Sequence, residues 1–206
     1  MKTNLFFSMA LLVVANPSYA AEKSKMSPGA ESGADRLRKN IASELKALPD
    51  HPWAGEYYAG DGLGVNMSLS IAPKSGFVFE WHGCLGLYDR NYGAVAWTND
   101  HLYLSFTFEN VRKGFQGIAP ELLSVPWGER RYLVPASDIV GFCNQVNEGS
   151  EPRGGVHGVY LLRKGDEKKP ASGLPKVPKE FQVYLVSKPI QADVSQRWKR
   201  TSPKRS

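Results

Sequence analysis

Apolar and polar side chains alternate along several short segments in the middle of the chain. The alternation is clearest in three segments, at residues 65–71, 77–82 and 102–109. A period of two is typical of antiparallel strands that have one apolar and one polar face. Residues with a strong turn preference separate the segments, at positions 61–62, 73–76, 91–93 and 99–100. Further strands are predicted at 53–59 and 93–98. This pattern predicts an antiparallel meander.

A helical pattern precedes the strands. Four apolar residues recur there at spacings of three and four among charged side chains: Leu37, Ile41, Leu45 and Leu48. This spacing predicts one amphipathic helix that begins at Asp35 and is ended by Pro49. A single helix of this kind commonly covers the open edge or the mouth of a sheet.

The pattern is weaker after residue 114. Short strands are predicted at 130–134, 156–163 and 181–188, with a polar, proline-containing connector before the last of them. Asp138 precedes an apolar stripe with helical spacing, and Gly149 follows it, which predicts a short helix near 138–147. The predicted fold class is therefore mainly β (α+β). We expect an antiparallel meander or partly closed barrel with an N-terminal amphipathic helix and one short later helix.

The first twenty residues predict a secretory signal peptide. Lys2 precedes an apolar run at residues 5–15, and the small residues Ser18 and Ala20 follow a helix-breaking Asn-Pro pair. The four predicted regions are a signal peptide at 1–20, a flexible linker at 21–34, one β-rich domain at 35–194 and a disordered basic tail at 195–206. No later apolar run approaches the ~20 residues of a spanning helix, so the mature chain is predicted to be periplasmic or secreted without a transmembrane segment.

Export bears on the two cysteines of the chain. Cys84 and Cys143 would mature in an oxidising compartment, where thiols are expected to pair. We therefore predict a disulfide between them, which in the chain-entropy model is worth about 4 kcal/mol for a loop of this length.

The charge is concentrated at the C-terminal end. The chain carries a formal net charge of +6, and the last twelve residues contain no acid. Five basic residues and one tryptophan in that tail are candidates for contact with an anionic envelope polymer or lipid surface: Arg197, Trp198, Lys199, Arg200, Lys204 and Arg205. A plain disordered end is the alternative. Nucleic acid is not an expected partner of an exported chain.

Residues 53–57 (WAGEY), at the start of the meander, faintly resemble the first strand of lipocalin-type barrels. That resemblance implies an early Trp53 packed across the closed end of a barrel, and a cavity for a small apolar ligand. The polar strand faces either meet solvent or line a ligand site in a wet barrel interior. The whole sequence also resembles uncharacterised small exported bacterial proteins.

A chemical alternative lies at Glu80, His82 and Cys84. At a spacing of two these residues share one strand face, so a carboxylate could orient an imidazole beside a thiol. Residues 81–86 (WHGCLG) are similar to the nucleophile motif of L,D-transpeptidases, in which His and Cys correspond to His82 and Cys84. Trp81 and Gly86 stand where that family has a hydroxyl residue and an arginine.

Metal and cofactor sites are not predicted. The four histidines have no ligand spacing: His51, His82, His101 and His157. A glycine-rich run at 60–64 leads into an alternating strand rather than a helix, so it predicts a hairpin and not a nucleotide loop. The acids also give no spacing that selects a glycosidase pair.

The sequence thus favours a non-enzymatic exported binding module, with a thiol-dependent envelope enzyme that uses Cys84 and His82 as the alternative.

Overall fold

The computed structural model describes residues 28–60, 62, 64–110, 117–153 and 159–186, and the side chains of the first helix from residue 33 onward. Eight strands form a closed antiparallel barrel: β1 (Gly55–Gly60), β2 (Val65–Ala72), β3 (Gly76–Gly83), β4 (Gly86–Thr98), β5 (His101–Phe106), β6 (Glu121–Trp127), β7 (Arg130–Pro135) and β8 (Leu161–Arg163). Two α-helices, α1 (Pro28–Lys46) and α2 (Ile139–Asn147), accompany them. Short 3-10 helices occupy Ala136–Asp138 and Lys179–Tyr184. The predicted mainly β fold is confirmed, and the barrel is closed.

The two ends of the barrel differ. Strands β1, β3, β5 and β7 begin at the end that contains Trp53, which we call the Trp53 end. The opposite end contains the turn at Cys84 and Leu85 between β3 and β4, and we call it the Cys84 end. At the Trp53 end the ring of Trp53 is buried between His51 and Trp97, with ring centroids 4.8 and 6.0 Å away.

The apolar strand faces point into the barrel. Leu69 of β2 pairs with Phe79 of β3, and both side chains are fully buried in the central core with Leu102 and Leu133. The described residues leave a cavity of only about 30 Å³ inside, room for about one or two water molecules. The polar strand faces therefore point outward, which decides between the two alternatives that the sequence left open.

Helix α1 packs against the outside of β2, β3 and β4. Ala34 and Ile41 of α1 meet Ala72 and Val78 of the sheet in a small separate cluster. The closed barrel has no open edge for the helix to cover. The last turn of the helix and the residues after it reach the barrel mouth, where Leu45 and Leu48 contact the central core.

The predicted linker at 21–34 is wrong over its last seven residues. The helix begins at Pro28 rather than Asp35, and Ala34 is fully buried. Proline is well suited to the first turn of a helix, since its missing N–H has no partner there in any case. The small residues that suggest a linker instead allow the helix to approach the sheet closely, because Gly33 lies against Tyr92.

Strand β6 was not predicted. Residues 121–127 show no alternation because both faces of the strand are covered: Leu122 faces the barrel core and Leu123 faces a second cluster beneath α2. A strand that is buried on both sides appears in the sequence as a continuous apolar run. Pro126 further obscures the pattern, since proline is uncommon within strands.

The turn predicted at 91–93 is also wrong. Strand β4 runs without a break from Gly86 to Thr98, and the turn that precedes it is at Cys84 and Leu85. Asn91 is fully buried, and its side chain donates to the carbonyl of Phe108 and accepts from the amide of Phe108, at 3.0 and 3.2 Å. This asparagine therefore fastens the end of β5 to β4 and forms no turn.

The C-terminal elements differ in part from the prediction. The strand predicted at 181–188 is replaced by the 3-10 helix Lys179–Tyr184, and β8 covers only Leu161–Arg163. The predicted helix near 138–147 is confirmed, although Asp138 makes no side-chain capping hydrogen bond. The predicted signal peptide at 1–20 and tail at 195–206 lie outside the described residues. Among the residues that are described, no helix has both the length and the apolar character needed to cross a bilayer.

Candidate functional site

Glu80, one of the three residues of the thiol alternative, has two arginine partners in the structure. The carboxylate of Glu80 binds the guanidinium groups of Arg90, at 2.6 and 2.7 Å, and of Arg38 in α1, at 2.7 Å. Glu80 therefore fastens α1 to the barrel instead of orienting His82. A register shift between Trp81 and His82 also interrupts the regular pairing of β3 with β4. Cys84 follows in the exposed turn, and its use as a nucleophile stays a prediction.

The predicted disulfide is wrong. Cys84 is exposed in the β3–β4 turn, whereas Cys143 lies in α2 and is fully buried in the cluster outside β6 and β7. Because the two side chains belong to different surfaces of the barrel, no bridge joins them. Burial raises the pKa of the Cys143 thiol to about 11, so this thiol stays protonated and unreactive at neutral pH.

The described residues also provide no metal centre. In the ranges that the structure describes, no three His, Cys, Asp or Glu side chains converge so that they could hold a metal ion. His51 accepts a hydrogen bond from the backbone amide of Ala54 at 3.0 Å and has a structural role. His157, like the basic residues of the tail, lies outside the described residues.

The best candidate for a binding site is a surface groove at the Trp53 end. It lies between the β4–β5 turn and the start of the 3-10 helix Lys179–Tyr184, and it encloses about 560 Å³. Eight residues line it: Thr98, Asn99, Asp100, His101, Tyr103, Pro178, Lys179 and Glu180. Its volume falls within the usual range of small-molecule sites, whereas the barrel cavity is far too small. This groove lies on the outer, polar face of the sheet.

One wall of the groove is a tight hairpin turn. Asn99 and Asp100 both adopt positive φ angles, 48° and 67°, which is the conformation of a two-residue type I′ turn. Asn and Asp tolerate this region better than other residues that have a side chain. The turn thus presents an amide and a carboxylate side by side, next to the hydroxyl of Thr98.

His101 joins the two walls of the groove. Its Nδ1 atom lies 2.6 Å from Glu121 of β6, and its Nε2 atom lies 3.0 Å from Glu180 of the opposite wall. An ionised carboxylate can only accept, so both ring nitrogens must carry a proton to make these two hydrogen bonds. His101 is therefore an imidazolium in this arrangement.

The pKa values of this cluster follow from its geometry. Partial burial lowers the pKa of His101, but the hydrogen bonds that its ring donates to Glu121 and Glu180 outweigh burial and raise the pKa above 6.5. The pKa of Glu180 is lowered, first by its own backbone amide and then by His101. Burial, and then Glu121, raises the pKa of the Tyr103 hydroxyl, which therefore stays protonated at neutral pH.

The second wall is held in place independently of His101. Val177 is buried in the outer cluster, and the amide of Lys176 donates to the carbonyl of Pro126 at 2.7 Å. The indole of Trp127 donates to the carbonyl of Gly173 at 2.9 Å. These contacts hold the segment against β6, so the groove is a built feature of the folded protein.

Sequence reasoning missed most of this site. The sequence predicts the turn at 99–100 and the strand that follows it, but it does not indicate that Glu121 and Glu180 lie beside His101. Glu180 lies 79 residues from its partner His101, so no local spacing joins them. A 3-10 helix of only six residues also leaves no periodic signal from which its position could be predicted.

No protein-family model, curated protein or solved structure matches this chain. The resemblances to lipocalin-type barrels, to L,D-transpeptidases and to small exported proteins stay predictions.

Proposed function

We propose that this protein is an exported, non-enzymatic binding module that takes a short saccharide of the cell envelope or its surroundings into the groove. The single observation that carries the proposal is the groove of about 560 Å³ on the outer face of a barrel whose interior is filled. Support for export comes from the sequence of residues 1–20 alone.

The chemistry of the groove favours a saccharide. A sugar ring presents a face of C–H groups and an edge of hydroxyls, and it needs an aromatic surface beside planar polar groups. The ring of Tyr103, which is 41% exposed, stacks at 6.1 Å on the ring of His101 and supplies the aromatic surface. The amide of Asn99 and the carboxylate of Asp100 supply paired donors and acceptors at the turn.

Charge also favours a ligand of this kind over a simple ion. The lining carries two charges of each sign, from His101 and Lys179 and from Asp100 and Glu180, and Glu121 beside His101 adds one negative charge. A lining with balanced charge and many hydrogen-bonding groups suits a neutral polyhydroxyl ligand, which has no net charge to attract or repel.

The basic tail provides a second contact in this proposal. Its five positive charges would hold the protein near an anionic envelope polymer or lipid surface, where the groove would meet its ligand. Deletion of residues 195–206 is expected to abolish salt-sensitive binding to anionic polymers and to leave stability unchanged. Salt-sensitive binding that survives the deletion would place this contact elsewhere.

The test of the groove is a panel of soluble envelope oligosaccharides, measured by calorimetry against matched variants. Tyr103→Ser is expected to weaken binding about tenfold or more, because the aromatic surface is lost. The control is Tyr184→Ser, since Tyr184 is 44% exposed but does not line the groove. Equal affinity of the two variants, or no binding by the unmodified protein, would rule the proposal out.

A further inference from the structure

Two arginines occupy neighbouring positions on the inner face of the barrel at the Trp53 end. Leu133 of β7 pairs with Leu161 of β8, and Arg131 and Arg163 lie two residues from them on the same two strands, just beyond the last printed pair of the ladder. Directly paired residues, and residues two apart in a strand, share one face of a sheet. Because Leu133 and Leu161 face the core, Arg131 and Arg163 point to the inside of the barrel mouth.

The surroundings of buried Tyr57 support this placement. Tyr57 of β1 pairs directly with Arg163, and its hydroxyl donates to the carbonyl of Trp53 at 2.8 Å. Burial raises the pKa of that hydroxyl, while Arg163 and Arg131 both lower it through their charges. Both guanidinium groups therefore lie within electrostatic reach of the same buried oxygen.

The two positive charges have no ion-pair partner among the described residues. Two acids nearby in the sequence and the sheet have other partners. Asp166 accepts from the backbone amide of Arg131 at 3.0 Å and binds the ammonium group of Lys169 at 2.5 Å. Glu56 of β1 pairs with Lys164 at 3.2 Å. Like charges close together on one face of a sheet repel each other unless a negative group compensates them.

Hydrogen-bond donors at this end of the barrel lack acceptors. Within the described part of the chain, the Nε atom of Arg131 and the indole nitrogen of Trp53 are buried without a hydrogen-bond partner. Arg163 uses one amino group, which donates to the carbonyl of Pro49 at 3.2 Å. A Cβ atom at Gly55 would lie only 3.1 Å from Nε of Arg163, so the guanidinium packs closely against this glycine.

We propose that Arg131 and Arg163 together bind a dianionic tetrahedral oxyanion, either inorganic phosphate or the phosphoryl group of a small organic phosphate. Such a group presents at least three acceptor oxygens, and its two negative charges match the two guanidinium groups. The site is separate from the groove, which lies on the outer face at β4 and β5, so it stands whether or not the groove binds a saccharide.

The experiment measures the melting temperature of the full chain at constant ionic strength in chloride, sulfate, inorganic phosphate or glycerol phosphate. At about ten times the dissociation constant, sulfate and phosphate are expected to raise the melting temperature by about 3 °C over chloride. Glycerol phosphate distinguishes an organic phosphate from the free ion as the ligand. An equal rise in melting temperature means that the site binds phosphoryl groups in general, and no rise means that it binds only the free ion.

Arg131→Gln and Arg163→Gln are expected to lose the rise and to keep or increase the melting temperature in chloride, since each removes a like-charge contact. Lys164→Gln is the matched control, because Lys164 is an exposed neighbour that pairs with Glu56, and it is expected to keep the rise. If a variant fails to fold, the ³¹P NMR signal of phosphate is measured with the unmodified protein instead, and binding is expected to broaden that signal. The proposal is overturned if phosphate changes neither the melting temperature nor the ³¹P signal of the unmodified protein. It is also overturned if the arginine variants keep the rise in melting temperature.

Discussion

Gly33 of α1 lies so close to Tyr92 of β4 that a Cβ atom at position 33 would stand 2.2 Å from the tyrosine hydroxyl oxygen. This contact sets the distance between the first helix and the barrel. On an exposed helix Gly→Ala is expected to stabilise by about 1 kcal/mol. Here Gly33→Ala is expected to destabilise by about 1–3 kcal/mol, because the added methyl group overpacks the interface. Urea unfolding measures the difference.

A change of Tyr92 tests whether Gly33→Ala destabilises the protein through its contact with this ring. In a Tyr92→Leu background the same Gly33→Ala substitution is expected to become neutral or stabilising, since the ring is gone. A double-mutant cycle with no coupling between residues 33 and 92 would mean that the helix does not pack on β4 in this way.

Glu44 gives α1 a pH-dependent attachment. Its carboxylate accepts from the backbone amides of Lys74 and Ser75 at 2.9 and 2.8 Å. Burial raises the pKa of Glu44, but the hydrogen bonds from Ser75 and Lys74 outweigh it and lower the pKa below 4.5. The contribution is therefore full above pH 4.5 and is lost as the pH falls through the lower folded-state pKa. Glu44→Gln is expected to cost about 1 kcal/mol at neutral pH.

The measurement is the free energy of unfolding between about pH 3 and pH 7. Glu44→Gln is expected to flatten this profile below pH 4.5, while the exposed Glu129→Gln keeps the slope of the unmodified protein. Parallel profiles for the unmodified protein and Glu44→Gln would show that the carboxylate makes no such contact.

The cysteines provide a test of the corrected disulfide prediction. Protein unfolded without reductant is expected to titrate two thiols, because Cys84 and Cys143 are far apart in the fold. In the folded protein Cys84 is expected to react with a thiol reagent, while Cys143 is protected by complete burial and a raised pKa. Two thiols that appear only after reduction would restore the disulfide and contradict the placement of α2.

The extent to which the sequence predicts this fold depends on where each strand lies. Strands β2, β3 and β5 alternate because one face meets the core and the other lies outside, so their period of two was visible. Strand β6 is apolar on both faces because α2 covers its outer side, so its alternation is absent. The packing of α2 on β6 is a tertiary contact, and the local sequence of β6 does not predict it.

The sites were less predictable than the fold for the same reason. Arg131 and Arg163 meet only because β7 and β8 pair, and the sequence predicted both strands but not their register. Asn99 and Asp100 were predicted as a turn from their own preferences, which are local. A turn that depends on neighbouring residues was thus predictable from the sequence. Contacts between side chains of distant strands, which closure of the barrel brings together, were not.

His101 makes the stability of the groove depend on pH. Its pKa is raised in the folded state, so its contribution is full below pH 6.5 and is lost as the pH rises through the higher folded-state value. The unfolding free energy of the unmodified protein is expected to fall relative to that of His101→Gln between about pH 6 and pH 9. His82→Gln serves as the control. A constant difference across this range would show that His101 is not held between Glu121 and Glu180.

The central claim is that the groove is the binding surface, and backbone amide NMR during titration with a bound oligosaccharide tests it most directly. The account predicts shift changes centred on residues 98–103 and 178–180, with small changes at the Cys84 end. Tyr103→Ser should reduce them and Tyr184→Ser should not. Shift changes centred on the Cys84 end, or none with any saccharide of the panel, would contradict the claim.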